Sequence, residues 1–406
     1  MKQKQAFNPE IFTRASACIA QGALTNSKRP RSFIEGVYPT HLKKASGAYC
    51  WDTEGNRYID FIAGLGSSIL GHCNEEVNAA ISKQLSLGHT LSLGTELEIE
   101  CAEKIKHLFP CIESLKFLKT GSCATSAAIK IARAAKSRRM VLSEGYHSWH
   151  DSFVSLTPPA NGVCLSQDVL PLTKGATFGD DVAAVIVEPI ITDVSEDRIN
   201  WLRHLRKRCT EKGIVLIFDE IITGFRFPQF SASNFYGIQP DLICLGKGLA
   251  NGLPISVVGG SNKIMNTEKE YFVSSTFAGE CLSLAAALKT IDLLQTKFKT
   301  DQLWESGQEF CRKFNSIAPE IVKLEGYPTR GVFRGSHENL DLFRQEACRA
   351  GILLSTSFFF NFSHISLIDQ VISTFTDILI RIKTGSVKLE GLPSLVPFAQ
   401  KARETA

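Results

Sequence analysis

The stretch "GIVLIFDEIITGFR", residues 213–226, decides the fold because it joins a short apolar run directly to two carboxylates, Asp219 and Glu220. A second run, "VAAVIVEP" at 182–189, precedes it, and a third, "DLICLGKG" at 241–248, follows it. Continuous apolar runs of this length are typical of strands buried on both faces, which occur in parallel sheets covered by helices. The stretch therefore predicts an α/β domain with a mainly parallel sheet.

The flanking segments extend this pattern and add a second domain. Further strands are expected at "SLKFLKTG", "MVLSEG" and "ISVVGGS", and helices at "SCATSAAIKIARAAKSR", "EDRINWLRHLRKRCTEKG" and "CLSLAAALKTIDLLQTKF". Near the start, "GAYCWDTEGNRYIDF" predicts a hairpin, and short strands alternate with helices near the end. We expect a large domain over 61–298 and a smaller α+β domain built from 1–60 and 299–406.

Composition excludes several classes of protein. The net charge is +4, with 44% hydrophobic and 21% charged residues, which are ordinary globular values. The basic residues are scattered, so no nucleic-acid partner is expected, and no apolar stretch is long enough to cross a membrane. The 12 cysteines lack CxxC spacing, so we expect no metal site, and buried thiols suit a reducing cytoplasm.

Polar side chains follow the predicted strands at the point where each strand ends. In a parallel sheet these ends face one crevice, where ligands bind. Singly, each has a plainer explanation: a surface lysine, an ordinary helix N-cap, or an aromatic side chain at the edge of the core. Together they supply an anion site, an aromatic face, carboxylates and an amine; in chain order they are Gly121 with Ser122, Tyr146 with His147, Glu188, Asp219 and Lys247.

This set matches what pyridoxal phosphate (PLP) requires from a protein. The cofactor needs a lysine for a Schiff base, a carboxylate for its pyridine nitrogen, a flat face for its ring and an anion site for its phosphate. A dinucleotide site does not fit, because "GKGLANG" has a lysine between its first glycines and opens no predicted helix. The sequence therefore predicts a PLP enzyme.

The same segments resemble a known family. "IFDEIITGFR", followed by the lysine of "LGKGLANGLP", is similar to the class III (ω-type) aminotransferases of fold type I, and the likeness continues through "KTGSCATSAAIKIARA" and "SSTFAGECLSL" over nearly the whole chain. Within the family, "DEIITGFR", "YHSWHD" and "RPRSF" resemble the glutamate-1-semialdehyde 2,1-aminomutases. The resemblance implies the PLP-transferase fold type I, PLP as cofactor and a homodimer.

The resemblance also implies roles around the cofactor. Lys247 would form the Schiff base, and Asp219 would pair with the pyridine nitrogen. Ile221 and Tyr146 would pack on the two faces of the ring, with His147 beside them. The phosphate would bind at Gly121, Ser122 and Cys123, and Thr276 would reach it from the partner chain.

On the substrate side, the resemblance implies that Glu188 lies near the lysine and that Arg31 faces a substrate carboxylate. The run "TSFFFNFSH", 356–364, stands where the aminomutases have a glutamate, so Phe360 is a candidate for an apolar substrate wall. The alternative is that these phenylalanines form a buried strand, which is common for such a run.

Several departures from the family pattern bear on the reaction. Cys123 stands where the family usually has an acidic residue, and Ile222 stands where a glutamine is common. Glu280 stands where the family usually has "GNP". The segment 151–176 differs from the loop with which the aminomutases retain their intermediate. We therefore expect an intermolecular aminotransferase that moves an amino group to an aldehyde or keto acceptor such as a sugar derivative, and the resemblance implies glutamate as the donor. The alternatives are the aminomutase itself and a non-catalytic binding protein of the same fold.

Overall fold

The computed structural model describes residues 6–154, 168–173 and 175–395. Contacts divide the chain into two compact units. The first unit contains the described residues up to Asn74 and those from Gln302 onward, and the second contains Glu75–Asp301. Both ends of the chain therefore contribute to the first unit, and the middle of the chain forms the second.

Helices and strands alternate along most of the described chain. The α-helices are α1 (Pro9–Cys18), α2 (Ala63–Gly66), α3 (Glu75–Leu85), α4 (Glu96–Leu108), α5 (Gly121–Lys136), α6 (Asp151–Val154), α7 (Glu196–Lys212), α8 (Ala232–Tyr236), α9 (Asn262–Met265), α10 (Cys281–Thr296), α11 (Thr300–Asn315), α12 (His337–Arg349) and α13 (Ile368–Lys383). The strands are β1 (Leu42–Ser46), β2 (Tyr49–Asp52), β3 (Arg57–Asp60), β4 (Ser114–Leu118), β5 (Met140–Glu144), β6 (Val169–Pro171), β7 (Val182–Val187), β8 (Val215–Asp219), β9 (Leu242–Leu245), β10 (Ser256–Gly260), β11 (Val322–Tyr327), β12 (Arg330–Gly335), β13 (Ile352–Leu353) and β14 (Ser357–Phe359).

The large sheet lies in the second unit and has the strand order β4–β10–β9–β8–β7–β5–β6. From β9 through β8, β7 and β5 to β6, each neighbouring pair is parallel. β10 is antiparallel to both of its neighbours, β4 and β9, because a short connection from β9 suffices for an antiparallel return. The expected α/β architecture is confirmed, with one strand of this sheet running against the others.

Helix α5 packs on this sheet through an alanine-rich face. Ala124, Ala128 and Ala132 are fully buried, and they join one apolar cluster with residues of β5, β7, β8 and β9. Small side chains let the helix axis approach the sheet closely, and this places the amino end of α5 beside the ends of the strands. The packing therefore positions one of the predicted site elements.

The first unit contains two smaller sheets, ordered β1–β2–β3–β13 and β11–β12–β14. The hairpin expected near the start is present as the antiparallel pair β2–β3. Its turn is closed by the Asp52 carboxylate, which accepts the backbone N–H groups of Glu54 and Asn56 at 3.0 and 2.8 Å. This carboxylate therefore sets the register of the hairpin.

A phenylalanine cluster fills the core of the first unit. Phe358 and Phe360 are fully buried, and their ring centroids lie 5.0 and 5.8 Å from that of Phe310. Phe359 is 6% exposed and packs against Gly66, where an added Cβ would lie 2.6 Å from its ring. The proposed substrate wall is corrected here: Phe360 has no free surface for a ligand because its side chain belongs to the core.

Two further expectations from the sequence concern the gating segment and the crossing of a membrane. Most of the expected gating segment, 151–176, lies outside the described residues, so the comparison of that loop stays a prediction. Among the described helices, none combines the length and apolarity that a bilayer crossing would require.

Candidate active site

The ends of five strands in the second unit bring the predicted site residues to one edge of the sheet. β4, β5, β7, β8 and β9 all run in the same direction, so their carboxyl ends lie together. The residues that follow them are linked to one another by hydrogen bonds and close contacts, described below.

Asp219 ends β8 and is held by His147 from the loop after β5. The Asp219 carboxylate lies 2.8 Å from His147 Nδ1, and both side chains are almost fully buried. The other ring nitrogen, Nε2, lies 3.0 Å from the backbone oxygen of Glu144. His147 is therefore held between these two groups and orients the Asp219 carboxylate.

Arg198 links the ends of β5 and β7 through hydrogen bonds, a role that the sequence did not reveal. Its guanidinium donates to both carboxylate oxygens of Glu144, at 2.7 and 3.0 Å. It also donates to the backbone oxygens of Glu188, at 2.9 Å, and Pro189, at 3.0 Å. This planar fork fixes the strand ends that carry Glu188 and lead to His147.

Glu188 follows β7, and its side chain is 5% exposed. The carboxylate accepts the backbone N–H of Tyr146 at 2.9 Å. It also lies close to Gly145, where an added Cβ would be 3.0 Å from the same carboxylate oxygen and where φ is +106°. Gly145 thus allows the turn that brings Tyr146 toward Glu188.

The amino end of α5, where the anion site is predicted, follows β4. Thr120 is the N-cap, and its hydroxyl accepts the N–H of Cys123 at 3.2 Å. Gly121 and Ser122 are the first residues of this 16-residue helix, so their N–H groups have no partner in the preceding turn. An added Cβ on Gly121 would lie 3.1 Å from the side chain of Ile221, which places Ile221 directly beside this turn.

Lys247 follows β9 at the start of a short 3₁₀-helix and is half-buried. Its φ is +37°, in the left-handed region that a residue with a Cβ adopts at a cost. The preceding Gly246 touches Ile221, because a Cβ there would lie 3.1 Å from the Ile221 side chain. Ile221 therefore contacts both the turn before Lys247 and the turn that begins α5.

Glu220, next to Asp219, has a structural role. It is fully buried and accepts hydrogen bonds from Thr223 Oγ1 at 2.7 Å and from the backbone N–H groups of Ala232 and Ser233 at 2.8 and 2.9 Å. Burial raises the pKa of Glu220, while these donors oppose the rise. The adjacent acidic residues of the motif thus have separate tasks.

Thr276 and Glu280 lie on the segment that leads into α10. Thr276 is exposed. Glu280 is the N-cap of α10 and pairs with Lys119, the residue before the α5 turn, at 2.9 Å. Although burial opposes it, the hydrogen bonds from Ser283 and Lys119 lower the pKa of Glu280. The departure from the family pattern at Glu280 is therefore a helix cap combined with a salt bridge.

Arg31 belongs to the first unit. Its side chain is 52% exposed, and its Nε lies 3.5 Å from the carboxylate of Glu35. A guanidinium with this much exposure has surface available for a further anion.

The second unit offers PLP a matching set of groups. An amine, a carboxylate that contacts a histidine, and N–H groups at a helix start are three of the functions the cofactor requires, and Lys247, Asp219 and the α5 turn could provide them. The apolar side chain of Ile221 contacts both Gly246, which precedes Lys247, and Gly121, which begins α5. The residues present therefore fit the cofactor.

Comparison with known proteins identifies the family. The family model for class III aminotransferases matches residues 34–164 and 163–357. The chain therefore belongs to the class III aminotransferase family and is a PLP-dependent enzyme.

The relatives include both an aminomutase and an aminotransferase. The chain is 35% identical over 320 residues to a glutamate-1-semialdehyde 2,1-aminomutase of Methanothrix thermoacetophila, covering 73% of this chain and 74% of that protein. It is 31% identical over 346 residues to a 3-aminobutyryl-CoA aminotransferase of Cloacimonas acidaminovorans, covering 80% and 81%. The FumI protein of Sphingopyxis sp. MTA144, solved with PLP, has the same fold, with a TM-score of 0.86, 24% identity and coverage of 95% and 98%.

Proposed function

We propose that the protein is an intermolecular aminotransferase that takes the amino group from glutamate and delivers it to an aldehyde or keto acceptor, with sugar derivatives among the candidates. The observation that carries this proposal is the buried line of contacts from Asp219 through His147 to the Glu144 backbone, which fixes the orientation of the carboxylate that ends β8. PLP, when bound, supplies an aldehyde that captures amines and a ring that withdraws electrons from the substrate carbon.

The residues of this chain supply the remaining functions. Lys247 would hold the cofactor through its amine; once a donor amine has taken that place, the freed lysine amine would move a proton to and from the substrate carbon. Asp219, held by His147, keeps its carboxylate directed into the crevice, where it stabilises a positive charge. Gly121 and Ser122 present N–H groups to an anion, with Cys123 beside them in the same turn, and Ile221 and Tyr146 bound a planar group on its two faces. Glu188 holds the backbone of Tyr146 in place.

A donor and acceptor screen tests this proposal. Amino acids are mixed singly with the PLP form of the enzyme, and conversion of the cofactor to its amine form is followed by absorbance. We expect glutamate to convert it and a second, carbonyl compound to restore it. If glutamate leaves the spectrum unchanged and another amino acid converts it, the donor assignment is wrong.

The second candidate is the aminomutase reaction, which is favoured by the name of the relative at 35% identity. Glutamate-1-semialdehyde is supplied to the pure enzyme, and 5-aminolevulinate is measured. Efficient conversion without any other carbonyl compound would replace the transferase proposal, whereas no product together with turnover on glutamate would support it. A non-catalytic role is tested by the same assays.

We further propose a homodimer in which Thr276 contributes to the phosphate site of the partner. Exposed apolar side chains on the second unit support an interface, since a patch of this kind is unusual on a monomer. They are Leu85, Leu87, Leu91, Leu93 and Phe277. The backbone N–H of Cys281 donates to the His89 oxygen at 2.8 Å, which joins the two segments that carry them.

We also propose the cytoplasm as the compartment. The cysteines within the described ranges are free, and burial raises the pKa of the Cys50, Cys101 and Cys348 thiols. Buried, protonated thiols are stable in a reducing compartment. Fractionation with a fluorescent fusion tests the assignment.

A further inference from the structure

Two arginines of helix α7 form ion pairs at opposite ends of the large sheet. The guanidinium of Arg206 donates to the Asp241 carboxylate at 2.8 Å, and the same carboxylate oxygen accepts the backbone N–H of Leu216 at 2.7 Å. Asp241 precedes β9 and Leu216 lies near the start of β8, so this pair lies at the amino ends of those strands. Arg198 lies in the first turn of α7 and contacts the carboxyl ends of β5 and β7.

The position of Arg198 is unfavourable within its own helix. The first turn of α7 also contains Glu196 and Asp197, whose negative charges suit the positive end of the helix dipole, whereas a positive charge there opposes it. Tertiary contacts offset this effect: the guanidinium forms two hydrogen bonds to the Glu144 carboxylate and lies 4.4 Å from the ring centroid of Trp201. A residue that breaks a local preference in this way is expected most often at functional sites.

The first line of contacts from Arg198 leads to Asp219. The ion pair with Glu144 is largely buried, since the two side chains are 12% and 15% exposed. The backbone oxygen of Glu144 lies 3.0 Å from His147 Nε2, and the Asp219 carboxylate lies 2.8 Å from His147 Nδ1. The position of Glu144 at the end of β5 therefore determines where His147 holds the carboxylate.

The second line of contacts leads to Tyr146. Arg198 donates to the backbone oxygens of Glu188 at 2.9 Å and Pro189 at 3.0 Å. The Glu188 carboxylate in turn accepts the backbone N–H of Tyr146 at 2.9 Å. The two lines are also joined directly, because the backbone N–H of Glu188 donates to the Glu144 oxygen at 3.3 Å. One guanidinium thus holds both strand ends.

We propose that Arg198 is a positioning residue for the cofactor, which sets the orientation of Asp219 and the position of Tyr146 through the strand ends that it links. This inference rests on the proposed function, in which Asp219 pairs with the ring nitrogen of PLP and Tyr146 bounds one face of the ring. The planar guanidinium suits the task because it binds the carboxylate at two points and still directs donors at backbone oxygens. A lysine ammonium at the same place would supply the charge without this fixed geometry.

The test compares Arg198→Gln with Arg206→Gln in the full-length chain. Both changes remove an arginine of α7 from an ion pair with a carboxylate, so both should lower stability in urea. PLP binding, followed by fluorescence titration, should weaken about tenfold only in Arg198→Gln, the value of one lost hydrogen bond to a charged group. Arg206→Gln should bind PLP like the wild type. Arg198→Lys keeps the charge and should behave like Arg198→Gln.

A spectroscopic measurement separates positioning from stability. Circular dichroism in the visible absorption band of bound PLP depends on a fixed orientation of the ring. At saturating PLP, this signal should weaken in Arg198→Gln and keep its wild-type strength in Arg206→Gln. Glu144→Gln covers the case in which Arg198→Gln does not fold: it keeps the backbone oxygen that His147 contacts and should change PLP affinity and the visible signal in the same direction.

Asp219→Asn is measured in parallel to distinguish two kinds of failure. If Asp219→Asn weakens PLP binding while the Arg198 and Glu144 variants match Arg206→Gln in affinity and visible signal, Arg198 only stabilises the fold and the inference is overturned. If Asp219→Asn leaves PLP affinity unchanged, the proposed role of Asp219 is wrong, and the inference fails with it.

Discussion

Lys247 has a backbone conformation that lysine adopts at a cost, since its φ of +37° brings the Cβ close to the backbone. The flanking residues make this conformation possible. Gly246 lies extended at φ −178°, and Asn251, at the end of the short helix, is left-handed. Strain of this kind persists where the surrounding structure enforces it, and it occurs often at functional sites. Lys247 is half-buried where β9 ends.

The first prediction concerns Lys247. Lys247→Ala keeps a Cβ at a position with the same left-handed backbone conformation, so we expect the fold to persist. Transamination should fall by at least about 10²-fold, because the proton-transfer group is lost. Turnover and circular dichroism are measured together. Lys263→Ala, at an exposed lysine of α9, is the control and should keep wild-type activity. Wild-type turnover by Lys247→Ala would remove the lysine from the mechanism.

The second prediction separates His147 from Asp219. Asp219→Asn removes the charge and should lose most of the activity together with cofactor affinity. His147→Asn leaves the Asp219 charge but not its restraint, so we expect PLP to bind about 10- to 100-fold more weakly, the value of a hydrogen bond to a charged group. PLP titration by fluorescence measures both variants. Unchanged PLP affinity in His147→Asn would reduce the histidine to a packing role.

At the scale of single elements, the loop from β8 to α8 depends on one buried carboxylate. Glu220 receives three donors, two of which are N–H groups at the amino end of α8. A carboxylate accepts all three, whereas an amide must direct its NH₂ group at one of them. The shape of the loop that follows Asp219 is therefore coupled to the charge of Glu220.

The third prediction follows from this coupling. Glu220→Gln should lower the free energy of unfolding by about 1–3 kcal/mol, because a buried donor loses its acceptor. Urea unfolding at pH 7 measures the change, with Glu211→Gln, at a 60% exposed glutamate, as control. Equal stability of the two variants would contradict the prediction.

The pH dependence of stability gives an independent check on Glu220. Because burial raises its pKa, the folded state binds the proton more tightly than the unfolded state. The contribution of this group to stability is therefore largest below its ordinary pKa and declines as the pH rises from there toward the raised value. Glu220→Gln should lack this decline. A parallel decline in the variant and the wild type would assign it to other groups.

At the scale of the whole molecule, the exposed apolar side chains of the second unit predict association. Leu93 is 86% exposed and Phe277 57% exposed, and both lie near the segment that contains Thr276. Burying such side chains against a second copy would contribute about 25 cal/mol for each Å² removed from water. An assembly of this kind would also bring Thr276 to its proposed place.

The fourth prediction tests this association. Sedimentation should show a dimer for the wild type and a shift toward monomer for Leu93→Lys, with weaker PLP binding in the same sample. Leu24→Lys, at a 91% exposed leucine of the first unit, is the matched control and should remain dimeric. A monomeric wild type with full activity would overturn both the dimer and the role of Thr276.

The sequence by itself determined the α/β sheet, the polar residues at the strand ends and the family. These properties are local: a fully apolar strand, its flanking helices and the residue that ends it are all read within about ten residues. The run at β8 and the lysine after β9 are examples, and the structure confirms both strands. The boundaries of the two units and the functional roles of the individual residues stay proposals.

Only the tertiary structure decided which partner each side chain has. His147 could be placed beside the cofactor from its motif, but its contact with Asp219 joins residues from two different strand ends. Phe360 could face a substrate or a core, and packing against Phe310 decided for the core. The contact of Leu395 with Arg31 joins residues from opposite ends of the chain. The physical reason is that the spacing of apolar residues along the sequence is set by neighbours in the chain, whereas hydrogen-bond partners and burial are set by neighbours in space.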